Sequence, residues 1–129
     1  MQKFTFSYRS ERNLHGVHPD LVTLVRMALS LSEVDFSVIE GVRTLDRQRQ
    51  LKQEGHSQTL NSRHLTGHAV DLAPLLNKVI PWDRWEFFQM VADAMKESAR
   101  KSDIPIVWGG DWKSFKDGVH FELSRERYV

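Results

Sequence analysis

HAVDLAPL, His68–Leu75, is the run whose reading decides the architecture. A strand's period of two sets Val70 and Leu72 on one face and Ala69 and Asp71 on the other, so a carboxylate turns away from the core-facing pair. We read a short strand here, stopped by Pro74. GVHFEL, Gly118–Leu123, counts the same way: Val119, Phe121 and Leu123 share the buried face, and His120 and Glu122 take the other. Upstream, VDFSVIEGVR, Val34–Arg43, alternates and is β-branched, predicting a strand that ends near Gly41; Thr44 or Asp46 then caps a short polar helix through Lys52. IPIVWGG, Ile104–Gly110, supplies a further strand.

Two amphipathic helices flank these strands. HPDLVTLVRMALSLS, His18–Ser32, has Pro19 at a first helical position and Leu21, Leu24, Val25 and Ala28 at i, i+3, i+4, i+7. WDRWEFFQMVADAMKESARKS, Trp82–Ser102, aligns Trp85, Phe88, Ala92, Met95 and Ala99 in one stripe. Connections such as WGGDWKSFKDG, Trp108–Gly118, are short and turn-like. They favour a small α+β domain, a mostly antiparallel sheet with flanking helices, over a doubly wound parallel sheet.

The 129 residues suffice for one domain with its own core and are too few for two of ordinary size, so residues 1–129 are expected to fold as one unit. No apolar run is long enough to cross a bilayer, and no stable membrane association is expected. The net charge is +1 with basic residues interspersed among acids, which argues against nucleic acid as a partner. MQKFTFSYRS, at the start, has no apolar core of a secretory signal, so synthesis in a cytoplasm is expected. With no cysteine, a transition-metal site has to come from His, Asp and Glu.

SRHLTGHAVDL, Ser62–Leu72, supplies the candidates together with the second histidine-bearing strand. Strand parity lets Asp71 and His120 share a cleft, and Gly67 permits a turn that swings His64 back over Asp71. Two imidazoles and a carboxylate suit a catalytic zinc, because three protein ligands leave a fourth position for water. Gly118 turns the chain so that Asp117 approaches that position. His64-Leu-Thr-Gly-His68 has the i, i+4 spacing of a helical zinc motif, but Leu65 stands where the glutamate is needed and Gly67 disfavours a helix. His68 shares parity with Val70, so a packing or supporting hydrogen-bond role is expected of it. His15, His18 and His56 read as surface or cap residues. Trp108 and Trp112 are either cleft walls or core packing.

Ser62-x-His64-x-x-Gly67-x-Ala69-x-Asp71 joined to Asp117-x-x-His120 resembles the VanY-like zinc D-alanyl-D-alanine peptidase family. EGVRT, Glu40–Thr44, resembles that family's S-G-x-R-[ST] strand end, with Glu40 in the serine's place, a departure expected to touch only a minor hydrogen bond. Gln48 matches a glutamine that often follows, and WGGDW with HFEL resembles the closing hairpin. SERNLHGVHPDLVTLV, Ser10–Val25, resembles the opening segment of phage endolysins and related L-alanyl-D-glutamate endopeptidases within the group.

The resemblance implies a Hedgehog/DD-peptidase-like fold holding one Zn2+ per chain on His64, Asp71 and His120. It makes Asp117 the general base and Arg43 the contact to the oxyanion or to a substrate carboxylate. Gln48 and Trp108 would meet substrate, while Ser62, His68 and Glu122 would support the ligands. The implied activity is lysis of the bacterial wall by cutting peptidoglycan stem peptides between L-alanine and D-glutamate. A D,D-carboxypeptidase and an inactive wall-peptide-binding relative remain as alternatives. A monomer is expected, made in a host cytoplasm and acting in the periplasm once a holin-type partner has permeabilised the membrane.

Overall fold

The computed structural model describes residues 3–55 and 62–129; His56 and the middle of the loop between Gly55 and Gly67 lie outside them. Four helices, α1 (Tyr8–Asn13), α2 (Pro19–Leu31), α3 (Leu45–Gln53) and α4 (Trp85–Ser102), accompany four strands, β1 (Asp35–Glu40), β2 (Ala69–Leu75), β3 (Ile106–Trp108) and β4 (His120–Leu123). The sheet has the order β1-β2-β4-β3 with every pair antiparallel. This is the α+β arrangement expected from the short connections.

Local chemistry sets the helix starts. His18 Nδ1 accepts from Asp20 N ahead of Pro19, and Thr44 accepts from Arg47 N at the head of α3. The apolar faces of α2 and α4 pack on one another and on one side of the sheet, burying Leu21, Leu24, Met95, Leu72 and Phe121 completely. That side is the core, and it leaves the parity partners Asp71, His120 and Glu122 on the opposite side.

Three local features go beyond or against the sequence reading. Helix α1 was not anticipated, because six residues carry too little periodicity to announce themselves. It is capped by Ser7 and stitched to the outer edge of β1, where Ser10 Oγ accepts from Val38 N (3.0 Å) and Asn13 Nδ2 donates to Val38 O (2.7 Å). Pro74 does not stop β2 but lies inside it, opposite Phe36. Leu72 N points toward β4, donating to Val119 O, so the nitrogen two residues on faces the same way, past the start of β4. A buried N–H there would have no strand to bond, and proline removes the donor. Finally, Arg63–Thr66 is a 3-10 turn, closed by Gly67 at φ 78°. A Cβ on Gly67 would also sit 2.6 Å from Gly16 O, so both backbone angle and space require glycine.

Trp108 belongs to the core. It is 3% exposed, opposes Phe121 in the β3–β4 register, stacks on that ring at 6.2 Å, and donates from Nε1 to Gly118 O at 2.9 Å. The expectation that it meets substrate is therefore corrected. An indole whose N–H finds a backbone carbonyl is satisfied inside the fold. No helix among the described residues is long and apolar enough to cross a membrane.

Candidate metal centre

Three elements deliver the cluster. The β2–β4 register sets Asp71 opposite His120 and Ala69 opposite Glu122. A β-bulge between Val38 and Glu40 shifts β1 so that Glu40, rather than the residue before it, faces Asp71. The 3-10 turn, headed by Ser62 Oγ accepting from His64 N, folds His64 over the same spot, leaving it 1% exposed. His64, Asp71 and His120 each present a ligand atom within 4.8 Å of the others.

Hydrogen bonds fix which ring nitrogens face inward. Gly41 O can only accept, so His64 Nδ1 donates to it (2.8 Å) and Nε2 is left toward Asp71 Oδ1 at 3.1 Å. Glu122 Oε1 likewise takes the Nε2 proton of His120 (2.8 Å), leaving Nδ1 at 3.5 Å from the same Asp71 oxygen. Three acceptors thus converge, an arrangement that only a cation or a proton relieves. Ligands about 2.1 Å from a zinc ion at tetrahedral angles stand roughly 3.4 Å apart, close to the separations of Asp71 Oδ1 from the two ring nitrogens. Gly41 is held firmly in place: a Cβ there would lie 1.8 Å from Asn13 O, so α1 sets the position of the carbonyl that orients His64.

Without metal, protons hold the cluster together. Burial alone would raise the Asp71 carboxyl, but its interactions with the neighbouring His120 and His64 rings outweigh it and keep Asp71 far below the usual carboxylate range. Burial alone would lower His120, yet its bonds to Asp71 and Glu122 push it up to about 9. The His120 proton therefore stabilises the metal-free fold fully below the ordinary imidazole pKa of ~6.5, and that contribution is lost as pH rises through the folded value. A metal must displace this proton. Zinc uptake near neutral pH is accordingly expected to release a proton and to tighten as pH rises toward that value, which titration calorimetry in buffers of different ionisation enthalpy measures. Uptake with no proton released at pH 7 would contradict the His120 assignment.

The cleft over the cluster, about 640 Å³, is lined by Trp112 and Phe115–Asp117 together with Glu40, Arg43 and Ser62–His64. Asp117 reaches it through the turn at Gly118–Val119, and burial, then the neighbouring Asp71 charge, raises its carboxyl above the ordinary range. The Arg43 side chain is 8% exposed and forked on Glu40, with Nε to Oε1 and Nη2 to Oε2 both at 2.7 Å; its Nη1 donates to Gln48 Oε1 (2.6 Å), and Nη2 stands 3.7 Å from Asp71 Oδ2. Glu40 is thus no minor hydrogen bond but half of an ion pair. Its signal was a carboxylate three residues before Arg43 at a strand end.

Other expected site residues land elsewhere. Gln48 is fully buried and does not line the cleft, so it meets Arg43 rather than a ligand. His68 turns away from the cluster, its Nδ1 bonded to Thr66 Oγ1 (2.7 Å) and its ring 5.5 Å from that of His18. Ser62 supports the His64 backbone rather than its ring, while Glu122 meets the His120 ring directly. Of the two tryptophans weighed as cleft walls, Trp112 is the one that lines it, 5.2 Å from the His120 ring between centroids. Phe115, 67% exposed, and Arg125 line it as well, and nothing in their local sequence singled them out.

The family model described as phage L-alanyl-D-glutamate peptidase matches residues 2–127. An L-alanyl-D-glutamate peptidase of Escherichia phage T5 is 35% identical over 128 residues, 97% of this chain and 93% of that protein. The crystal structure of the Serratia marcescens L-Ala D-Glu endopeptidase ChiX superposes with a TM-score of 0.90 at 48% identity, covering 98% of this chain and 95% of that one. The vancomycin-resistance D,D-dipeptidase VanXYg, at 14% identity and a TM-score of 0.52 over 83% of this chain and 50% of its own, shares the fold.

Proposed function

The chain belongs to the phage L-alanyl-D-glutamate peptidase family, and from that premise we propose that it is a zinc-dependent endopeptidase that cuts peptidoglycan stem peptides between L-alanine and D-glutamate. The observation that carries the chemistry is the convergence of His64 Nε2, Asp71 Oδ1 and His120 Nδ1 beneath a cleft that also holds Asp117. A zinc ion on those three atoms would supply Lewis acidity, lowering the pKa of water toward ~7 and polarising the scissile carbonyl. Asp117 takes the proton of the attacking water and returns it to the leaving amide nitrogen, a role its raised pKa suits. Arg43 donates to the carbonyl oxygen as negative charge develops there. Glu40 and Gln48 hold the Arg43 guanidinium in position, and Gly41 and Glu122 hold each imidazole in the tautomer a metal needs. We further propose that the enzyme works as a monomer, as one domain, and meets the wall only after a partner has opened the inner membrane.

Mass spectrometry of purified peptidoglycan after digestion tests the bond. Peptides with new D-glutamate N-termini and little free D-alanine are expected; free D-alanine as the dominant product would make it a carboxypeptidase, and no product from zinc-loaded protein would leave a binding module. Glu40→Ala is expected to lower kcat/KM about tenfold or more with zinc content unchanged, since it frees Arg43 from a charge-assisted fork. Steady-state kinetics beside metal analysis reads both quantities, and an unchanged kcat/KM would remove the positioning role.

A further inference from the structure

Beside Glu122, at the opposite end of β4 from Asp117, the cleft carries a pair of cations that the reaction above does not use. The Arg63 side chain is 10% exposed, and its Nη2 donates to Leu123 O (3.2 Å) and Tyr128 O (2.6 Å), which fixes the guanidinium. Its Nε is buried with no hydrogen-bond partner among the described residues. Arg125 is 64% exposed, and its Nε stands 3.6 Å from Glu122 Oε2. The same oxygen stands 3.9 Å from Arg63 Nε, while Glu122 Oε1 is occupied by His120. One carboxylate therefore faces two guanidiniums and an imidazole, and positive charge is in surplus. The cleft as a whole is lined by four cationic and four carboxylate side chains, so a bound divalent ion leaves it formally positive.

We propose that Arg125, backed by the fixed charge of Arg63, binds the free carboxylate that a glutamyl residue carries next to the scissile amide, so that this end of the cleft takes the acidic, leaving side of the substrate. The inference rests on the peptidase reading. A glutamyl residue keeps one carboxylate free whichever of its carboxyls continues the chain, and its nitrogen is the one released. That carboxylate lies within one residue of the cut. Glu122, which marks the site, is two residues along β4 from His120, roughly 7 Å away. The outer nitrogens of Arg125 can close on a carboxylate as a two-pronged fork.

Two peptides containing L-alanyl-D-glutamate, identical except that one has the free glutamyl carboxyl amidated, test the site in the zinc-loaded enzyme. The wild type is expected to favour the acid, and the preference to shrink with added salt. Arg125→Ala is expected to raise KM for the acid roughly tenfold while changing kcat and the KM for the amide far less, collapsing the preference. Arg125→Glu is expected to invert it. Arg125 is exposed, so neither variant threatens the fold. An acid-over-amide ratio that Arg125→Ala leaves unmoved would overturn the carboxylate site while wild-type cleavage of both peptides upheld the peptidase reading; cleavage of neither would overturn both.

Discussion

Asp117→Asn is expected to keep its zinc and its fold and to lose about two to four orders of magnitude in turnover, the span usual for removing a general base. The substitution preserves shape, and the backbone contacts of Asp117, its N–H to Gly109 O and its carbonyl to His120 N, do not involve the side chain. What disappears is the proton acceptor. In the wild type the raised Asp117 pKa is expected to place the acid limb of kcat/KM above that of an ordinary carboxylate, with activity falling as pH drops through it. The limb vanishes with the carboxylate. Single-turnover assays on a defined peptide, with metal analysis on the same sample, measure both; a variant retaining more than a tenth of wild-type turnover would exclude Asp117 as the base.

Asp71→Ala is expected to act by a different route, abolishing detectable activity by losing the metal. Asp71 Oδ1 faces both imidazoles, so its removal takes away a ligand and the charge that holds the two rings together. Zinc affinity is expected to fall by at least two orders of magnitude, read by competition with a chromophoric chelator. The far-UV dichroism should persist, because the core formed by α2, α4 and the opposite face of the sheet contains none of the three metal-facing side chains. Full zinc occupancy in Asp71→Ala, or zinc loss in Asp117→Asn instead, would reverse the two carboxylates' roles.

The part of this site legible in the sequence was the part that depends on strand parity. Counting by two set Asp71, His120 and Glu122 apart from Val70, Leu72 and Phe121, and the β2–β4 register preserves that division. Whatever depended on a partner distant in sequence was hidden. Trp108 reads equally as a cleft wall or as core until its register with Phe121 is known. His68 shares Val70's parity but precedes the strand, where it meets His18 instead of the core. Gln48 and Glu40 look like ordinary polar residues on a short helix and a strand end until the bulge in β1 brings Arg43 between them. Pro74 reads as a stop because nothing local reveals that β4 begins too late to need its N–H.

The order β1-β2-β4-β3 has a consequence for the timing of synthesis. The strand made last is not added at an edge; it fills the gap between two strands already made. While the ribosome is still short of His120, His64 and Asp71 exist but lack the third member of their set, and β2 lacks its second neighbour. A nascent or prematurely terminated chain therefore cannot assemble the ion site. For a peptidase of cell-wall peptides, activity therefore waits on chain completion.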